Sequence, residues 1–247
     1  MTLDREFYLA RFEQDATAMV AAAKQADLDA AVPPCPGWSV ADLVAHTAEV
    51  FYDWNQVVSR GLVDRADFES VPDFERPPQE KLVDALQSSA DRLLATLAAA
   101  DLDQPAWNWS STQPKTVAFV PRRMAHEISI HRWDAQSAIG ATEPINADLA
   151  ADGIDEFFFV QLPEEEAPVP EPGTVHLHRT DGPGEWFVTL GAGGVTVRAE
   201  HERGDAAVRG PASDLILMLW RRIPASDLEV HGDAAVVDRF VNWVDLT

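Results

Sequence analysis

Glu127 and His131 lie four residues apart in the run Met124-Ala125-His126-Glu127-Ile128-Ser129-Ile130-His131-Arg132-Trp133-Asp134. In a helix this spacing puts both side chains on one face, which Met124, Ile128 and Ala135 share or border. A carboxylate and an imidazole therefore point toward an apolar interior. Burying an ionised carboxylate is costly unless it is paired or bound to metal. Three arrangements satisfy that condition: a Glu–His hydrogen bond at a bundle edge, a general acid–base pair, or two ligands of a metal ion. Taken alone, this segment is explained most simply by the hydrogen bond.

A second segment changes the balance. His46 sits at the edge of an apolar arc, beside Leu43 and Val50. Metal sites in helix bundles combine a carboxylate–histidine pair on one helix with ligands from facing helices. His46, Glu127 and His131 would give two imidazoles and one carboxylate. Three protein ligands leave a position open, the catalytic rather than the structural arrangement of zinc. His126-Glu127 also matches the start of the zinc-protease motif, but its second histidine would fall at position 130, which is Ile130. That reading fails on spacing. Asp134, one turn beyond His131, could orient a ligand from behind or be a plain surface charge. His176 and His178 share a face of a strand and could bind metal at that spacing, though a solvated strand face is the simpler reading. Cys35, flanked by Pro34 and Pro36, reads as a half-buried turn residue.

Elements must position these residues. Residues 4–28 are Ala-rich, with Phe7, Ala10, Ala18 and Ala21 at helical spacing. Pro34-Cys35-Pro36-Gly37-Trp38 reads as a rigid turn. Ser39 is an N-cap with Asp42 three residues on, a variant of the capping box. The helix that follows carries Val40, Leu43, Val44, Thr47, Val50, Phe51 and Trp54 on one face. Residues 60–78 read as a loop, 79–100 as a third helix and 120–139 as a fourth, with Pro121 tolerated in its first turn. Four such helices in series suggest a four-helix bundle. Asn146 caps a further helix to about Leu162, with Phe157-Phe158-Phe159 as a buried patch. The acidic, proline-rich run 163–173 reads as a stiff linker. After it the period becomes two: short strands in a meander around 175–197, then helices over 211–222 and 233–243 with a strand near 228–231 between them. The fold class is thus a helical bundle followed by a smaller α+β domain, with domains at 1–142 and 143–247.

Composition bounds the partners. The 247 residues hold 41 Asp+Glu against 19 Lys+Arg, a formal net charge of −22. Such a surface repels nucleic acid and anionic membranes. With 46% hydrophobic residues the core is ample, so a metal would serve chemistry rather than folding. Cys35 is the only cysteine, which precludes an intrachain disulfide and fits a reducing compartment. With a charged N-terminus and no long apolar run, the expectation is a cytoplasmic protein, a monomer or homodimer, whose partner is a small electrophilic molecule and neither nucleic acid nor membrane.

Several runs resemble one known family. Val32-Pro33-Pro34-Cys35-Pro36-Gly37-Trp38-Ser39-Val40-Ala41-Asp42-Leu43-Val44-Ala45-His46 is similar to the signature of the maleylpyruvate isomerase family of mycothiol-dependent enzymes. So is His126-Glu127-Ile128-Ser129-Ile130-His131-Arg132-Trp133-Asp134-Ala135. These enzymes belong to the wider DinB-like group of metal-binding four-helix bundles. Val208-Arg209-Gly210-Pro211-Ala212-Ser213-Asp214-Leu215, followed by Val230-His231-Gly232-Asp233, resembles the family's sterol-carrier-like second domain. The resemblance implies a divalent metal, zinc above all, on His46, Glu127 and His131, and an external thiol cofactor, mycothiol. It also implies a catalytic arginine that binds a substrate carboxylate, matched by Arg222. Arg221 stands where relatives often carry glycine.

The function this implies is thiol activation for maleylpyruvate-type cis–trans isomerisation or for S-transfer. The alternative is a non-catalytic metal- or thiol-binding regulatory protein, or a binder of small ligands. A two-histidine-one-carboxylate iron oxygenase ranks last, because such sites usually sit in β-barrels rather than bundles.

Overall fold

Asp4 opens the first helix, α1 (Arg5–Gln25), by accepting a hydrogen bond from the Phe7 amide at 2.8 Å. The computed structural model describes residues 3–164, 171–191 and 194–244. The chain divides into two compact units. One runs to Trp109 and continues over Gln113–Glu143; the other holds Ser110–Thr112 and everything from Pro144 onward.

The first unit is helical. The turn before α2 (Val40–Arg60) is rigid for readable reasons. Trp38 donates its amide to the Cys35 carbonyl at 3.0 Å, and Gly37 between them has φ +87°. That is a type II turn with Pro36 and Gly37 at its centre, where a positive φ favours glycine. The expected capping box forms: the Asp42 amide donates to Ser39 Oγ at 3.2 Å, and the Ser39 amide to Asp42 Oδ2 at 3.1 Å. Gly61 ends α2 in the left-handed region.

The stretch read as a loop, 60–78, departs from that reading by containing one short helix, α3 (Arg65–Glu69), capped by Asp64. Its hydrophobic anchor is Phe68, stacked on Trp107 with ring centroids 4.3 Å apart. Then come α4 (Leu82–Ala99) and α5 (Phe119–Ala138). Helix α1 packs on α4 and α5, and α2 on α4 and α5, so the four long helices close a ring. Phe12, Met19, Leu43, Phe51, Leu86 and Met124 are among the fully buried side chains inside it.

In the second unit Asn146 caps α6 (Ala147–Glu156) by accepting from the Leu149 amide at 3.1 Å. The helix continues through a wider turn over Phe157–Gln161. Phe157 and Phe158 are buried there, but Phe159, expected with them, is exposed. Of the expected linker, residues 165–170 lie outside the described residues. Strands β1 (Gly173–Arg179), β2 (Glu185–Gly191) and β3 (Gly194–Arg198) form the expected antiparallel meander. The sheet does not stop there. A fourth strand, β4 (Ala206–Gly210), pairs parallel with β1, and β5 (Glu229–Gly232) pairs antiparallel with β4. The result is a five-stranded mixed sheet of order β3-β2-β1-β4-β5. Helices α7 (Ala212–Leu219) and α8 (Ala234–Trp243) pack against its central strands. No helix of the described residues is long and apolar enough to cross a membrane.

Candidate metal centre

Helix α5 is buried along most of its circumference, yet Arg123, His131, Arg132 and Asp134 on it are all buried. Each needs a partner, and the partners explain the helix. Arg132 donates from Nε to Asp15 of α1 at 3.2 Å, and from Nη1 to Gln136 at 2.7 Å and to the Glu143 carbonyl at 2.6 Å. Burial raises the Asp15 pKa, and the Arg132 guanidinium opposes that rise. This cluster is structural, a tie between α1 and α5.

The other buried charges converge on Glu127. Its Oε1 lies 3.1 Å from His131 Nε2 and 3.5 Å from His46 Nε2, while Arg123, one turn earlier, donates to its Oε2. The His46 and His131 rings stand edge to face, centroids 5.2 Å apart. One ligand atom from each of His46, Glu127 and His131 lies within 4.8 Å of the other two. A tetrahedral ion with bonds of about 2.0–2.1 Å separates its ligands by roughly 3.4 Å, so the spacings to Glu127 already match such an ion. The His46 ring is 37% exposed against 11% for His131, so a ligand reaches the centre from the His46 side. Trp38 borders that side, its ring centroid 5.0 Å from that of His46.

Behind His131 the geometry is directional. Its Nδ1 hydrogen-bonds to Asp134 Oδ2 at 3.1 Å, and Asp134 is fully buried. The carboxylate holds the Nδ1 proton, leaving Nε2 as the nitrogen presented to Glu127. This is the support that metal-bound histidines usually receive. Burial disfavours the charged forms of Glu127 and His131, but their mutual attraction overrides it. The Glu127 carboxyl is held well below its ordinary range by His131 and Arg123. Against the same burial, Glu127 and Asp134 raise His131 to about 9.

Sequence reasoning left Asp134 undecided, and it proves to be an interior partner rather than a surface charge. It did not raise Arg123, although a residue four before Glu127 shares its face. Nor did it place Cys35 near this centre; the thiol donates to Asp134 Oδ2 at 3.5 Å. His126, the first residue of the failed protease pattern, instead borders Tyr8 of α1.

Arg222 lies in the second unit just after α7. Its amide donates to the Leu217 carbonyl at 2.7 Å and its Nη1 to the Trp220 carbonyl at 2.8 Å. Arg221 has φ +57°, the only positive φ among the described non-glycine residues. The turn keeps the left-handed backbone that glycine favours.

Comparisons with known proteins place this architecture. Two crystal structures share the fold, both of the mycothiol-dependent maleylpyruvate isomerase, one of them of a histidine-to-alanine variant. The variant aligns with a TM-score of 0.57 and the unsubstituted enzyme with 0.55, each at 13% identity over 88% of this chain and 90% of the other. Curated proteins gave no significant sequence match. The family model for the mycothiol maleylpyruvate isomerase N-terminal domain matches residues 9–136, and that for the MDMPI C-terminal domain matches residues 148–239. The chain therefore belongs to the mycothiol-dependent maleylpyruvate isomerase family.

Proposed function

We propose that this chain is a metal-dependent enzyme in which His46, Glu127 and His131 hold a divalent ion, zinc being the best fit, that activates mycothiol against a small electrophile. The observation that carries the reading is the convergence of His46 Nε2, Glu127 Oε1 and His131 Nε2 with Asp134 fixed behind His131. The donor set suits the ion: two imidazole nitrogens and one carboxylate with an open side. Bound there, the ion would hold the external thiol as thiolate at neutral pH, able to add reversibly to an activated double bond and so permit its rotation, or to transfer onto an electrophile.

The protein's own residues do the rest. Asp134 fixes the tautomer and direction of His131. Arg123 occupies Oε2 of Glu127, which leaves Oε1 for the centre. Trp38 gives the open side an apolar wall beside His46. Arg222 is our candidate for holding a substrate carboxylate by a charge-assisted pair.

The test is metal content and turnover together. Purified protein should carry one ion on this triad, lost in His46→Ala, and should isomerise maleylpyruvate only with mycothiol present. Recovery of the thiol unchanged identifies an isomerase, and its consumption an S-transferase. Arg222→Lys should raise KM for a carboxylate substrate more than it lowers kcat. A protein whose metal content is the same with and without His46 would overturn the proposal.

A further inference from the structure

The sheet of the second unit carries a second histidine cluster. Residues i and i+2 of a strand face one side, so His176 and His178 of β1 point together. Register adds the rest: His178 lies opposite Glu185 of β2 in the antiparallel pair, which puts Glu185 on the same face. The chain returns after β3 and brings His201 over them. Glu185 collects all three rings. His176 bonds its Oε2; His178 Nδ1 lies 2.8 Å and His201 Nδ1 3.2 Å from its Oε1. The three rings stand edge to face, with centroids 4.9 to 5.9 Å apart. One ligand atom from each of the four residues lies within 4.8 Å of all the others.

We infer that His176, His178, Glu185 and His201 form a second divalent-metal site, separate from the centre on α2 and α5. Two neighbouring strands and the loop after β3 each deliver a nitrogen or oxygen donor to one point, and His176 among them is buried. Three imidazole nitrogens with a single carboxylate select borderline ions such as Zn²⁺, Co²⁺, Ni²⁺ or Cu²⁺ over the oxygen-seeking Ca²⁺ and Mg²⁺. Four ligands can close a tetrahedron, the structural form of a zinc site. Entry is available: the cluster lines a cavity of about 590 Å³ whose other walls include Asp205, Arg209 and His231. Four of the chain's seven histidines thus border one hollow on the outer face of the sheet.

The experiment uses the full chain with His46→Ala and His131→Ala, which removes the first site. Titrated with Co²⁺ alone, this protein should bind one equivalent and develop the visible bands of a four-coordinate ion with nitrogen and oxygen ligands. Adding His178→Ala should weaken binding at least ~10-fold. His201→Ala should do the same. That ring is 73% exposed on a loop, so its removal leaves the fold intact even if His178→Ala does not. Circular dichroism of each variant provides the check on folding. If the His46/His131 variant binds no Co²⁺, or if His201→Ala binds as tightly as its parent, the second site does not exist. Neither outcome touches the first centre, which is tested by the loss of metal in His46→Ala alone.

Discussion

Asp134 is buried to zero exposure, and its Oδ2 receives both the His131 Nδ1–H and the Cys35 thiol. Partners of this kind set ligand orientation and basicity, and losing one typically costs 10–100-fold in metal affinity. Asp134→Asn keeps the volume but removes the charge, so zinc affinity should fall about 10–100-fold while the far-ultraviolet dichroism stays the same. Competition against a chromophoric chelator measures this, and equal affinity would show that Asp134 does not support the metal. That Glu127 and His131 share a face could be read from the sequence because helical spacing is a property of one helix; His46 comes to them from α2. Arg123 obeys the same rule but is arginine, a residue rarely buried unless paired. The approach of Cys35 to Asp134 depends on how a turn packs on a helix across 99 residues of sequence, and no local pattern encodes that.

A second residue gives a pH-dependent expectation. Burial, with the like charges of Glu49 and Asp73, raises Asp53 on α2 to about 6 from an ordinary 3.8. The folded state thus holds this proton more tightly than the unfolded one. Above pH 6 the ionised Asp53 opposes folding in full, and the penalty fades as pH falls from 6 toward 3.8. Asp53→Asn should therefore stabilise the protein by about 1 kcal/mol at pH 7.5, solvent screening considered, and by almost nothing near pH 4. Urea unfolding at both pH values decides it: an equal gain at each would assign the effect to packing instead of charge.

At the scale of elements, the helices were legible and the sheet only partly so. Each long helix of the bundle has an apolar face, and two carry side-chain caps, Asp4 for α1 and Ser39 for α2. These are local signals and survive folding unchanged. Strand β4 has a sequence of small residues, Ala206-Ala207-Val208-Arg209-Gly210, with little strand propensity. Its place is set by pairing with β1, so a reading by periodicity finds the meander and the strand near 228–231 but misses β4. The capping box of α2 lies two turns before His46, so its effects on stability and on the site can be measured separately. Ser39→Ala removes the acceptor of the Asp42 amide and should cost about 1 kcal/mol of stability. A chemical denaturation midpoint lowered by that amount, with metal affinity little altered, would show that the cap stabilises the helix without tuning the site. A midpoint identical to that of the parent would show the capping bond to be energetically idle.

For the molecule as a whole, charge is the property that no single element owns. A formal −22 on 247 residues means that like charges crowd throughout the surface, and Asp53 beside Glu49 and Asp73 is a local case of it. Self-repulsion of this kind destabilises the compact state, and salt screens it, because the Debye length falls from about 20–30 Å near 0.01–0.02 M to about 10 Å at 0.1 M. The surface pairs that salt also weakens, such as Arg65–Glu69 and Arg198–Glu202, are each worth a few tenths of a kcal/mol to about 1 kcal/mol. With 41 acidic groups against 19 basic ones, repulsive pairs outnumber attractive ones and the net effect of salt is stabilising. Raising NaCl from 0.02 to 0.3 M at pH 7.5 should add about 1 kcal/mol, a rise of about 2–4 °C in Tm for a chain of this size. Calorimetry in chelator keeps metal out of the comparison. A Tm that falls with salt would mean that the attractive pairs, not the excess charge, dominate the electrostatics of the fold.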